Sequence, residues 1–105
     1  MRRSSPHFTV FGLPPAAPGG VTRFGITVTR KQGGSVVRNR IRRRTREILR
    51  RCSLELGGGA AIVINPRTSV AEAEFTALAA ELTEQVRLLA AALARKAARD
   101  SGGAA

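Results

Sequence analysis

The sequence predicts one small domain in which β-strands and α-helices share a single core. Three observations predict it: two short stretches alternate with the period of a strand, two longer ones repeat with the period of a helix, and an apolar run bounded by glycines and a proline separates the helices. With 105 residues, 43% of them hydrophobic, the chain can build one modest core and not two.

Residues Met1–Pro6 are polar and basic and are expected to be loose. Phe8–Phe11 reads as a short strand with Phe8 and Val10 on one face and Thr9 and Phe11 on the other. Gly12–Gly20 follows as a loop, because its prolines lack the donor that a ladder needs. In Arg23–Arg30, Phe24, Ile26 and Val28 alternate with Gly25, Thr27 and Thr29, which predicts a strand with one buried face and one face open to a ligand. Lys31–Gly34 is a turn, and a helix opens at Gly34 or Ser35 and stops before Gly57. Ala60–Asn65 is apolar throughout and ends at Pro66, so it is expected to be a strand buried on both sides and adjacent to the others. Ser69 with Glu72 fits a capping box, and a second helix is expected from about Val70 to about Ala98, packing Phe75, Leu78, Leu82, Val86, Leu89 and Leu93 against the sheet. Asp100–Ala105 should fray.

The first helix carries the functional signal. At about 100° per residue, Val37, Ile41, Thr45, Ile48 and Cys52 fall on one narrow face, while Asn39, Arg40, Arg42, Arg43, Arg46, Arg50 and Arg51 occupy the opposite side. A guanidinium offers a planar fork of donors matched to phosphate, and charges this close repel unless an anion lies against them. The whole chain shares the bias, with Lys+Arg 18 against Asp+Glu 7 and a formal net charge of +11. Such a balance concentrates polyanions around the protein. Asn39, Arg42 and Arg46 lie at one edge of the polar face and Arg40, Arg43 and Arg51 towards the other, so the helix can serve two nucleic-acid segments. Thr9, Thr27 and Phe11 on the open sheet face would give an unpaired base a platform for stacking.

Protein-based catalysis finds no support in the residues. A nuclease needs paired imidazoles, clustered carboxylates or an activated nucleophile. His7 is the only histidine and reads as a surface or edge residue, and the acids fall at positions expected to be solvated. No catalytic residue and no metal ligand is therefore assigned. The single cysteine, Cys52, cannot form an internal disulfide and fits a reducing compartment. No segment approaches the length of a bilayer span, and the helix lacks Trp or Phe anchors for a membrane surface, so a cytoplasmic protein without a membrane partner is expected.

The spaced set Lys31, Gly33, Val36, Arg38, Asn39, Arg40, Arg43, Arg46, Glu47 and Arg51 resembles the signature of the bacterial ribonuclease P protein component. The similarity covers roughly Phe8 to Leu93 and includes the order strand, strand, arginine helix, strand, helix. The resemblance implies an α+β sandwich, a sheet packed with helices akin to the second domain of ribosomal protein S5, with a left-handed βαβ crossover where general rules favour a right-handed one. It also implies assembly with the catalytic ribonuclease P RNA, which with Mg²⁺ removes the 5′ leader from precursor tRNA, the metal being held mainly by the RNA. Carried over by position, Arg38, Arg40 and Arg43 would face the catalytic RNA, with Arg50 and Lys31 adding charge. Thr9, Phe11, Thr27, Asn39, Arg42 and Arg46 would line the cleft for the single-stranded leader. Family members usually begin with a further helix bearing two aromatic residues that complete this cleft, whereas here the first strand comes almost at once. This implies either a start further upstream or weaker leader binding.

Two other readings share the charge. A non-catalytic RNA-binding module, such as a ribosome-associated protein, would bind ribosomal particles. A DNA-reading helix would prefer duplex DNA, but an arginine-dominated surface suits backbone contact more than base readout, so DNA is not expected as a partner.

Overall fold

The protein is described from a computed structural model that covers residues 1–13, 23–51 and 61–103, the last seven by backbone alone. Four strands, β1 (Arg2–Ser4), β2 (Phe8–Leu13), β3 (Arg23–Ile26) and β4 (Ala61–Pro66), form one sheet in the order β1-β2-β4-β3. β2 pairs antiparallel with β1 and with β4, while β3 pairs parallel with β4. Helix α1 (Ser35–Arg51) connects β3 to β4, and α2 (Phe75–Gly103) closes the chain. Two short 3₁₀ turns, Arg30–Gln32 and Thr68–Ala71, precede the two helices.

Both helices pack on one face of the sheet. Phe8 and Val10 of β2 and Ile62 and Ile64 of β4 are buried with Ile41 and Ile48 of α1 and with Leu78, Leu82, Val86, Leu89 and Leu93 of α2. Phe24, Val28, Val37 and Phe75 pack at the margin of this cluster. Gly12 lies beneath α2, where a methyl group would come 2.6 Å from Leu93 Cδ1 and 3.1 Å from Leu89 Cδ2, so any Cβ there would force these two buried leucines to shift. Gly33, at φ 132°, makes the turn into α1 in a region that side chains rarely adopt. Among the described residues, no helix packs on the second face of the sheet.

Several elements differ from the sequence expectation, each for a physical reason. Residues 1–6 are not loose: Arg2, Arg3 and Ser4 pair with Phe11, Val10 and Thr9. The Met1 amine and carbonyl both bond to Gly12, and Arg3 Nε donates to Gln85 Oε1 at 3.1 Å. A polar edge strand has no apolar alternation to announce it. The first predicted strand continues through Gly12 and Leu13. The second ends at Ile26, although exposure still alternates to Thr29. β4 is central, but it is buried on one face only, with Val63 half-buried and Asn65 exposed on the other. Ser69 and Glu72 do not open α2. They belong to the 3₁₀ turn at Thr68–Ala71 and its end, and α2 starts at Phe75. Glu74 caps it, its carboxylate accepting from the N–H groups of Ala77 (2.8 Å) and Thr76 (3.0 Å), which holds its pKa below the ordinary carboxylate value. The helix continues to Gly103, with no proline to break the Ala-rich run. The loop Pro14–Gly20, Cys52 and Gly57–Gly59 lie outside the described residues.

Glu81 is not simply solvated. It takes the Ser5 hydroxyl at 2.6 Å, the His7 N–H at 2.8 Å and His7 Nδ1 at 2.7 Å, fastening the β1–β2 connection to α2. Burial alone would raise its pKa, but these bonds, led by the His7 ring and the Ser5 hydroxyl, outweigh it and lower the value. A carboxylate with a depressed folded pKa contributes stability above its unfolded pKa, and that contribution is lost as pH falls through the folded one. Glu81→Ala is expected to cost about 1–3 kcal/mol at pH 7 by leaving half-buried donors unpaired. In urea melts at pH 7 and pH 3, Glu81→Gln should lose less stability on acidification than the wild type does; an equal loss would remove Glu81 from the acid response.

Candidate nucleic-acid interface

α1 is amphipathic in the sense expected, with Ile41, Thr45 and Ile48 buried and Val37 half-buried. The Thr45 hydroxyl is satisfied by the Ile41 carbonyl at 2.8 Å, which lets a polar residue sit in the core. Eight arginines and one acid, Glu47, lie on this helix. Arg50 and Arg51 clasp Glu47 at 2.6 and 2.8 Å, and their hydrogen bonds lower its pKa to about 2. These pairs are exposed and stabilise the fold little, but they partly neutralise the C-terminal end of the arginine surface.

The polar face divides by what each guanidinium already touches. Arg40 Nε donates to the Ala71 carbonyl at 2.7 Å. Arg44 donates to Val70, Ala71 and Ala73 carbonyls at 2.7, 3.0 and 2.6 Å, and it stands 5.8 Å from the Phe75 ring centroid, with Arg51 at 5.2 Å. One edge of the helix is thus turned to the segment that leads into α2. Arg43 and Arg46 are exposed, Arg42 is half-buried, and among the described residues none of the three side chains has a hydrogen-bond or ion-pair partner. Asn39, Arg42 and Arg46 share the flank away from Arg40, spaced i, i+3 and i+7. Arg38 and Arg40 lie about 200° apart around the axis and so do not share a surface. Arg38 is half-buried, and its Nε is fully covered with no partner in the structure. Lys31 is exposed in the turn before α1.

The uncovered sheet face gathers the other expected residues. Register places Thr9 beside Asn65 and Phe11 beside Val63, and the Thr27 N–H continues the row by donating to the Ile64 carbonyl at 2.9 Å. Phe11 is 38% exposed, with the Arg2 guanidinium 5.7 Å from its ring centroid. Thr9 is only 6% exposed, because Arg67 Nη2 reaches its hydroxyl at 3.3 Å. Thr9 therefore supports this surface more than it presents a contact.

Arg44 is the residue that the helical projection missed as a structural anchor. Three residues after Ile41 and four before Ile48, it sits at the border of the apolar face, and that spacing was the available signal. Its planar fork caps three carbonyls that a single ammonium could not span. Arg44→Lys is expected to cost about 1.5–3 kcal/mol in a denaturant melt, the worth of hydrogen bonds to a charged group, whereas Arg43→Ala should leave the melt within about 0.5 kcal/mol. Equal melts would refute the division of the arginines.

A family model described as Ribonuclease P matches residues 1–90. The ribonuclease P protein component of Desulfovibrio desulfuricans is 41% identical over 101 residues, covering 94% of this chain and 78% of that protein. That of Carboxydothermus hydrogenoformans is 37% identical over 86 residues, covering 82% and 74%. The RNase P protein from Thermotoga maritima superimposes with a TM-score of 0.68 at 27% identity, over 81% of this chain and 79% of that one. The Staphylococcus aureus RNase P protein, at 20% identity and a TM-score of 0.68 over 85% and 80%, shares the fold. A match that runs from β1 into α2, supported by identity of this level across the arginine helix and the sheet, makes the assignment plain: the chain belongs to the bacterial ribonuclease P protein component family.

Proposed function

We propose that this ribonuclease P subunit, which serves tRNA 5′ maturation, contacts two RNAs with two surfaces. The exposed side of α1, with Arg40, Arg43 and Arg50, holds the ribonuclease P RNA, Lys31 adds charge in the turn before it, and Arg38, on the other flank of the helix, would have to meet a separate part of the same RNA. The open sheet face with the adjoining flank of α1, through Phe11, Thr27, Asn39, Arg42 and Arg46, with Thr9 supporting the face from beneath Arg67, holds the single-stranded 5′ leader of precursor tRNA. The observation that supports this reading is that, among the described residues, Arg42, Arg43 and Arg46 have no partner on α1 and no helix packs on the sheet face that presents the exposed Phe11 ring. Phosphates would neutralise the first, and an unpaired base would stack on the second.

Within this reading the protein binds and orients, and the bond is broken by the RNA. Among the described residues no group of three or more His, Cys, Asp or Glu could hold a metal ion, and a surface of guanidiniums repels cations. In this reading the Mg²⁺ on which ribonuclease P holoenzymes generally depend is held mainly by the RNA partner. The work takes place in the cytoplasm beside both RNAs. No helix of the described residues is long and apolar enough to cross a membrane.

Cleavage of precursor tRNA by a bacterial ribonuclease P RNA at low Mg²⁺ tests the reading: the protein should cleave nothing alone and should stimulate the RNA. If about five phosphates are neutralised, log affinity for the RNA falls against log salt with a slope of roughly −3.5 to −4.5. Arg43→Ala should reduce that slope by about 1 and weaken assembly. Phe11→Ala should spare assembly and weaken binding of leader-bearing tRNA by about 1–3 kcal/mol. Identical behaviour of the two variants in both assays would sink the two-surface arrangement.

A further inference from the structure

α2 and the turn before it are divided by charge. Residues 72–84 carry four glutamates and no basic side chain, and residues 87–99 carry four basic side chains and no acid. Charges near the ends of a helix answer its dipole, but that effect falls off within the first and last turn. Glu84 and Arg87 lie more than two turns from either end of α2, so the dipole does not account for them. Both are exposed, and among the described residues neither forms an ion pair. They stand on the side of α2 turned away from the sheet. Leu78, Leu82, Val86, Leu89 and Leu93 mark the buried side. At about 100° per residue, Thr76, Ala80, Glu84, Arg87 and Ala91 fall opposite that stripe, and all five are exposed. A shallow groove of about 650 Å³ runs along this face as far as Leu88, which is 41% exposed.

We infer that this face pairs with the same face of a second copy of the chain, the two α2 helices running antiparallel about a two-fold axis between Gln85 and Val86. The occupant follows from charge and symmetry. An antiparallel pair lays the acidic half of each helix on the basic half of the other, whereas a parallel pair would set like charges together. Counted outward from the axis, Glu84 meets Arg87 of the second copy, Ala80 meets Ala91, Ala77 meets Ala94 and Thr76 meets Arg95. Each pairing occurs twice, as a self-complementary two-fold interface requires. The alanines let the helix axes approach towards the near end of the usual range of about 8–10 Å. The net charge of +11 does not oppose the contact locally, because residues 72–91 hold four acids and one base. From Thr76 to Arg95 the contact follows roughly 29 Å of helix, less than a standard interface needs, so the dimer is weak and concentration-dependent. It uses none of the residues assigned to either RNA.

The test is sedimentation equilibrium of the purified chain at about 0.15 M salt, where a Debye length of about 8 Å screens distant arginines but not ion pairs in contact. The wild type should show a reversible monomer–dimer equilibrium with a dissociation constant below about 1 mM. Glu84→Arg and Arg87→Glu each set like charges together twice and should weaken association about tenfold or more. An equimolar mixture of these two variants should associate as the wild type does, since two bases of one chain then face two acids of the other. That recovery requires contact between chains, so a folding defect in either variant does not produce it. The inference is overturned if the wild type remains monomeric up to about 1 mM, a result that involves no variant. It is also overturned if the single reversals leave the equilibrium unchanged, because the dimer would then use another surface, or if the mixture associates no better than each variant alone.

Discussion

Everything in this fold depends on β4 being paired on both sides. β2 runs antiparallel along one edge and β3 parallel along the other, so every backbone donor and acceptor of the central strand has a ladder available, and Ile62 and Ile64 can go fully into the core. The parallel pairing has a topological consequence. Two parallel neighbours cannot be joined by a hairpin, so the chain must cross over between β3 and β4, and the crossover is α1. The arginine helix is therefore built into the sheet's connectivity, and its apolar face joins the core cluster on the side where α2 lies. With both helices on that side, the other sheet face has no helix against it among the described residues.

The same geometry explains how one short helix tolerates eight arginines. Repulsion among them is relieved in three ways: Arg50 and Arg51 share Glu47, Arg40 and Arg44 turn to backbone carbonyls, and Arg43 and Arg46 extend into solvent, with Arg38 and Arg42 half-buried on the other flank. The carbonyls belong to Val70, Ala71 and Ala73, a stretch between β4 and α2 whose backbone oxygens are not all used in regular structure. Arg44 thus fastens the approach to α2, while its neighbour Arg43 is exposed and meets no partner among the described residues. Substituting the arginines as a block would confound loss of RNA with loss of structure.

Much of this was legible in the sequence, and the misses share a cause. The glycine turn located the N-terminal end of α1 to within one residue, and periodicity found its buried face and that of α2 and separated the two faces of β2, because each periodic signal comes from burial repeated along one element. The family pattern followed from spacing on α1. What escaped detection were contacts between elements distant in sequence. β1 is a polar strand that exists only because β2 offers an edge. Glu81 is recruited by Ser5 and His7 from across the chain, and Arg67 reaches Thr9 over the end of the sheet. Glu74, not Ser69, caps α2 because the chain first makes a 3₁₀ turn that buries Val70 and Ala71, a tertiary demand that the capping pattern does not contain. The candidate site was legible on the helix, where side chains radiate from one axis. It was less so on the sheet, where Thr9 proves to lie under Arg67.

That difference bears on how the two surfaces can act. On α1 the free guanidiniums sit at the ends of long side chains and can follow a phosphate backbone of variable path, so the surface suits a large folded RNA recognised by charge and shape. The sheet face is rigid by comparison. Phe11, Asn65 and the row around Thr9 are fixed by ladder pairing, and their spacing cannot adapt to a ligand. A rigid row suits a flexible strand, since an unpaired leader can bring its bases to the platform, whereas a duplex presents its bases stacked and paired. Under the proposed two-surface arrangement, stiffness would meet its opposite on both sides: adaptable arginines against a structured RNA, and a fixed sheet against a single strand.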